Sequence, residues 1–282
     1  MRAWRYAEPM RVAICAPSTP FTRDDAMRVE ALARAEYPQV ALDFHEQCFA
    51  VEGHFAGADA VRLAAFLDCA NDPAFDAVWF VRGGYGANRI AGDVLARAGD
   101  AARAKVYLGY SDGGTLLGAL YGSGIGRAVH APMPTDIRRS GGEAAVRRTL
   151  GWLAGGRDGV EASGDAVPRV AFNLMTLAML MGTPLMPDLR GHAVLVEEVA
   201  EYHYAVDRLL FHVCHGLAAQ GAAGLRLGRV SDVPENDRPF GIEPEAMARH
   251  WCAVAGLPFL GSADIGHDID NKIVPFGLAP QG

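Results

Sequence analysis

Apolar residues fall in short unbroken blocks, and polar stretches with helical spacing separate them. Residues 11–17 (Arg-Val-Ala-Ile-Cys-Ala-Pro) have the continuous hydrophobicity of a strand buried on both faces, ended by proline. Similar blocks at 40–44, 77–81 and 106–108 predict three more strands. Between them, Ala26, Val29, Leu32 and Ala33 mark a helix over 24–36, and Val61, Leu63, Ala64 and Leu67 one over 58–69. Helices over 88–97 and 115–121 follow. After His130-Ala-Pro-Met-Pro134 the texture changes. Residues 135–168 are richer in Arg, Gly, Asp and Glu and read as a crossing segment with one short helix at 143–153. From Val170 the apolar pattern resumes, with helices over 174–181, 206–217 and 244–255 and strands over 192–196, 225–230 and 258–261. Alternating strands and helices predict an α/β protein of two domains. Residues 1–134 form a doubly wound, mostly parallel sheet, 135–168 a linker, and 169–282 a smaller α/β domain. A site is expected beyond the carboxyl ends of the strands.

One such end carries Gly109-Tyr-Ser-Asp-Gly113, a Gly-x-Ser-x-Gly nucleophile-elbow pattern between a strand and a helix. Its dull alternative is an ordinary strand-to-helix turn. Arg82-Gly-Gly-Tyr-Gly86 stands at another end. It lacks the Lys-Ser/Thr of a P-loop and the GxGxxG spacing, so a second oxyanion donor suits it better than a nucleotide cradle. Glu197-Glu198 follows the strand at 192–196. Neighbouring residues of an extended chain point oppositely, so one acid can face inward and orient an imidazole while the other meets water. Among nine histidines, His130 at a strand end and His267 in a polar, glycine-containing loop are the two candidate bases.

Half the residues are apolar and 21% charged, which fits a soluble globular chain of 282 residues. The net charge of −7 comes with no basic stripe, which argues against nucleic-acid or anionic-membrane partners. Five scattered cysteines without a CxxC pair point to reduced thiols in the cytoplasm and to no zinc site. Residues 1–8 have no signal-peptide pattern, and no apolar run reaches membrane-spanning length.

Taken in order, these motifs resemble those of the LD-carboxypeptidases of serine peptidase family S66, which includes muramoyl-tetrapeptide carboxypeptidases and microcin C self-immunity hydrolases. The likeness spans Ile14-Cys-Ala-Pro-Ser18, Phe55 to Arg62, Arg82 to Gly86, Gly109-Tyr-Ser-Asp112 and His130 to Met133. It continues through Gly182 to Asp188, Val194-Leu-Val-Glu-Glu-Val199, Tyr204-x-x-Asp-Arg208, Gly266-His267 and Pro275-Phe-Gly277. The resemblance implies a Ser111–Glu197–His267 triad, with oxyanion donors from the backbone N–H groups of Gly84 and Asp112. It further implies substrate contacts from Arg82 and Asn173, no cofactor and no metal, and a homodimer. Arg82 has two readings, a contact to a substrate carboxylate or a structural ion pair. The implied substrate is a small peptide of the murein tetrapeptide type, with an L-to-D amide and a free terminal carboxylate.

Two departures from the family stand out. Ala171-Phe172 replaces a usual Gly-Gly, so Phe172 is expected to narrow or reshape the pocket. The chain also stops soon after Gly277. Three rival readings remain at this point. An immunity-type hydrolase of aminoacyl nucleotides would need an aromatic shelf, for which Phe172 and Trp152 are candidates. An α/β-hydrolase-like esterase would fit the elbow and the order Ser, acid, His. A binding protein with a silenced site is the third.

Overall fold

A computed structural model describes residues 9–162 and 166–277. The expectation about residues 1–8 lies outside the described residues. The first sheet holds β1 (Met10–Cys15), β2 (Val40–Phe44), β3 (Ala77–Phe80), β4 (Val106–Gly109) and β5 (Arg127–His130), all mutually parallel. Its helices are α1 (Arg23–Glu36), α2 (Asp59–Asn71), α3 (Ala87–Arg97), a single turn α4 (Asp100–Arg103) and α5 (Gly114–Gly122). Strand alternation sorts its residues between two cores. Val12, Ile14, Trp79 and Leu108 join the core that includes α1 residues Ala26 and Val29. Ala13, Cys15, Val78 and Phe80 join the core that includes α2, α3 and α5 residues Phe66, Ile90 and Leu117. Helix α6 (Glu143–Leu153) lies in the segment read as a crossing linker, but its Val146, Leu150 and Leu153 close the first of these two cores.

The second sheet is wholly parallel: β6 (Arg169–Asn173), β7 (Ala193–Val199), β8 (Gly224–Ser231) and β9 (Phe259–Ser262), in that order. Helices α7 (Leu174–Leu180), α8 (His203–Gln220) and α9 (Pro244–Ala255) contribute to the core over Val170, Phe172, Val194 and Val196. The other face, including Ala171 and Leu195, packs on Ala263, Ile265 and Val274. The chain then returns to the first sheet, where β10 (Val274–Pro275) pairs antiparallel with β5. Gly277 exchanges backbone hydrogen bonds with Arg169 at the start of β6. The two-sheet α/β expectation therefore holds. Strand β6 and strand β10 lie where no strand was expected, and α8 begins three residues early.

At the carboxyl end of the first sheet the loops are tied together by Arg62, a guanidinium with no exposed surface. It donates to the carbonyls of Gly57 (3.2 Å), Gly86 (2.9 Å) and Pro17 and pairs with Asp59. Replacing it by methionine strands the Gly57 and Pro17 carbonyls, while Gly86 O keeps its bond from Arg89 N (3.1 Å), and Arg62→Met is expected to lower stability by about 3–5 kcal/mol in urea unfolding.

Candidate active site

Strand β4 ends at Gly109, Tyr110 is extended, and Ser111 adopts φ 58° before the chain enters a 3₁₀ turn and then α5. A non-glycine residue in that left-handed region is strained by roughly 1–3 kcal/mol, and such strain concentrates at functional sites. The flanking glycines have a local cause. A Cβ at Gly109 or Gly113 would stand 2.6 or 2.9 Å from the Phe80 ring beneath the turn. Gly83 brings the Arg82–Gly86 loop against the serine, since a Cβ there would lie 2.9 Å from Ser111 Oγ. Gly83→Ala is accordingly expected to lower turnover about 10²-fold with the fold retained, as steady-state kinetics and thermal unfolding would register. Gly84 (φ 102°) follows, and the peptide unit that carries its N–H is fixed by Thr19 Oγ1 donating to Gly83 O at 2.5 Å.

The Asp112 carboxylate accepts from Ser18 Oγ (2.5 Å) and Ala87 N (2.9 Å), lashing the elbow to the loop after β1 and to the start of α3. Burial pushes its pKa up, against those hydrogen bonds.

Across from the elbow, β7 carries Glu197 and Glu198 at its end, both buried (0% and 2% exposed). The expectation that one acid meets water is corrected. The extra residue of the β7–β8 register shift lies on β8, where Val196 pairs with Leu227 but Glu198 with Val230, so β7 keeps its alternation and its two acids are buried on opposite faces, both of them covered. Glu198 accepts from Asn173 Nδ2, Met175 N and Val199 N, each at 2.8 Å, although burial still raises its pKa. Glu197 Oε2 lies 2.6 Å from His267 Nδ1. Burial alone would lower the His267 pKa, but attraction to Glu197 and the hydrogen bond with it hold it above the ordinary imidazole value. That bond keeps the proton on Nδ1 and leaves Nε2 as the basic atom. The ring packs on Tyr110, centroids 4.8 Å apart, so the imidazole stands beside the residue that precedes Ser111. Thr176 Oγ1, 3.3 Å from Ser111 O, adds a second link between the sheets.

A cavity of about 430 Å³ opens here, with Ser111, Asp112, Gly84, Asn173 and Glu198 in its lining and an apolar wall that includes Met175 and Met179. Asn173 caps α7, its Oδ1 accepting from Thr176 N at 3.1 Å. Arg82 is not among the lining residues. Its guanidinium donates to Pro20 O at 3.1 Å, so the partner it has is neither a carboxylate nor the cavity. Phe172 is not among the residues that line the cavity. Its side chain is wholly buried against α5, where Gly118 leaves it room (a Cβ would lie 3.1 Å from the ring). Trp152 lines a different surface hollow, beside Arg147 and Lys272, and among the described residues the aromatic in the lining of the Ser111 cavity is Tyr85. Among the described residues no group of three or more His, Cys, Asp or Glu could hold a metal ion. All five cysteines are buried free thiols, and no described helix is long and apolar enough to cross a membrane.

Two family profiles match the chain, one described as the LD-carboxypeptidase N-terminal domain (residues 12–131) and one as the C-terminal domain (residues 169–280). A Streptomyces coelicolor protein, a carboxypeptidase by name only, is 31% identical over 300 residues, spanning 100% of this chain and 93% of its own. The murein tetrapeptide carboxypeptidase of Pseudomonas aeruginosa is 25% identical over 293 residues, covering 95% of this chain and 91% of that one. Among solved structures, a muramoyltetrapeptide carboxypeptidase from Oxalobacter formigenes superposes with a TM-score of 0.78 at 24% identity, over 96% of each chain. The microcin C7 self-immunity protein in complex with aspartyl sulfamoyl adenosine gives 0.74 at 15% identity, over 98% of each. At these identities the two structures establish the shared fold.

Proposed function

Because the chain belongs to the LD-carboxypeptidase family, both of whose domain profiles it matches, we propose that it is a serine carboxypeptidase. In this reading it hydrolyses the amide between an L-centre and a C-terminal D-amino acid. The observation that carries this reading is the buried 2.6 Å Glu197–His267 pair beside a strained serine elbow. His267 Nε2 takes the Ser111 proton as Oγ attacks the scissile carbonyl. Backbone N–H groups of Gly84 and Asp112 hold the tetrahedral oxyanion, each contributing about 3 kcal/mol. The tetrahedral intermediate collapses, the C–N bond breaks, and His267 returns the proton to the departing amine. Water, deprotonated by the same imidazole, then attacks the ester carbonyl, and the proton passes on to Ser111 Oγ as the acyl C–O bond breaks and the carboxylic acid leaves. No cofactor or metal takes part. Asn173 lines the acyl side of the pocket, and Arg82 keeps only a supporting place behind the loop.

The murein tetrapeptide ending in D-alanine is the substrate of choice, because relatives with murein peptide names align over most of the chain. Phe172 and Trp152 do not line the cavity, which leaves an aminoacyl-nucleotide substrate without the shelf it was expected to use. The proposal also includes the division at 134 and 169, which puts the nucleophile in one unit and acid and base in another, together with a homodimer in the cytoplasm. Incubation with the tetrapeptide and, separately, with an aminoacyl sulfamoyl adenylate tests the substrate. Release of D-alanine with no cleavage of the adenylate is expected, and the opposite pattern would overturn the assignment.

A pH dependence follows from His267. The base works only as neutral imidazole, so kcat/KM is expected to fall as pH drops through a pKa above the ordinary value of about 6.5. A pH–rate profile with its acid limb clearly below that value would contradict the pairing.

A further inference from the structure

We propose that His130 and Asn271 are positioning residues, a buried clamp from the first sheet that sets the loop on which His267 is carried. The inference rests on the reading of Ser111, Glu197 and His267 given above. The loop between β9 and β10 must deliver an imidazole to a serine held by the other sheet, and it contains no helix or strand across residues 263–272. Its outer shoulders are held by arginines. Arg229 pairs with Asp268, and Arg148 Nη1 donates to the carbonyls of Ile269 (2.8 Å) and Asn271 (3.0 Å).

The inner side is held differently. Asn271, 1% exposed, turns its Oδ1 towards Gly266 N (3.2 Å), the residue immediately before His267. A backbone N–H can only donate, so the side-chain atom facing it is the oxygen and the amide orientation is fixed. The same oxygen lies 3.0 Å from His130 Nε2, which must therefore carry a proton and donate. Its amide nitrogen has no partner among the described residues, so the oxygen is the part of this side chain in use. His130 ends β5, between Gly109 of β4 on one side and Val274 of β10, three residues beyond Asn271, on the other. One imidazole thus joins the nucleophile's sheet to the base's loop twice, by its strand and by its side chain.

This arrangement also separates the two candidate bases. His130 lies 5.6 Å from the Tyr110 ring and His267 4.8 Å from it. His130 Nε2 is engaged as a donor to Asn271, whereas His267 is the imidazole bonded to Glu197. The charged or titratable groups around the pair are Glu197, Asp136 and Arg139, with Tyr110 donating to Asp136 at 2.8 Å.

The test compares His130→Phe, which removes the donor but keeps a ring, with His130→Gln, whose amide N–H can reach the same oxygen. Asn271→Ala provides a second variant should the first fail to fold, and Ser111→Ala and His267→Ala serve as references. D-Alanine release from the tetrapeptide is followed across pH, alongside thermal unfolding. His130→Phe and Asn271→Ala are expected to lower kcat about 10–100-fold, by analogy with lost outer-shell partners, while KM changes by no more than about twofold. The acid limb should move down towards the ordinary imidazole value as the His267–Glu197 geometry loosens, and His130→Gln should restore both rate and limb. Wild-type kcat and an unmoved limb in folded His130→Phe and Asn271→Ala would overturn the clamp, as would a glutamine variant no better than phenylalanine. Full turnover by His267→Ala, with none by either His130 variant, would instead overturn the triad reading by making His130 the base.

Discussion

Ser111→Ala is expected to lower kcat for D-alanine release by about 10⁶-fold, the loss seen when the nucleophile of a serine hydrolase is removed. The fold should survive, because the Ser111 hydroxyl is not among the side chains that bind the elbow together; Asp112, Ser18 and Thr19 do that. A companion variant separates chemistry from strain. Ser111 holds φ 58°. Alanine inherits that conformation, whereas glycine adopts it without steric cost. Ser111→Gly should therefore be equally inactive yet about 1 kcal/mol more stable than the wild type in urea unfolding. Inactivity with raised stability marks a residue held in a costly shape for its reaction. Loss of stability in the glycine variant would show that the elbow is not strained.

Glu197→Gln is expected to cost about 10⁴-fold in kcat, with KM little changed. The amide can donate to His267 Nδ1, which favours the tautomer with the proton on Nε2, the atom that must accept the serine proton. The substitution also changes how stability responds to pH. His267 has a folded pKa above its unfolded one, so the stabilisation from its pairing is fully present below about pH 6.5 and is lost as pH rises through the folded value. Activity has the opposite slope, since it needs the neutral ring. Wild-type stability should therefore decline between mildly acidic and alkaline pH as activity rises, and Glu197→Gln should flatten that part of the stability curve. Urea unfolding at several pH values reads this directly. An unchanged slope in the variant would mean that the pair does not govern the titration.

The parts of the fold legible in the sequence are those where one periodicity ran long enough to be read. Strands such as Ala77–Phe80 are buried on both faces and read as unbroken apolar runs. Strand β6 escaped because Arg169-Val-Ala-Phe-Asn passes into α7 without a turn, Asn173 being both its last residue and the helix cap. Strand β10 is two residues long and contains a proline, which only an edge position tolerates. In the site, the elbow and the acidic end of β7 were marked by short local motifs. The burial of Glu198 was hidden because the groups that cover it, Asn173 and the first turn of α7, come from another strand and helix, and a strand's own sequence does not say which of its faces is covered. Phe172 misled because the pattern at 171–173 does not say that α5 packs over position 172 and takes up its ring. Asn271 was invisible as a partner of His130, 141 positions away, since nothing in either neighbourhood predicts that β10 returns to β5.

The central claim is that an acyl group passes through Ser111. Acid quenching during turnover of a D-alanine-terminated tetrapeptide, followed by mass mapping of the protein, examines that directly. The account predicts a peptidyl ester on Ser111 that disappears as D-alanine release is completed. An acyl group on any other residue, or continued release of D-alanine by protein in which Ser111 is never modified, would contradict it.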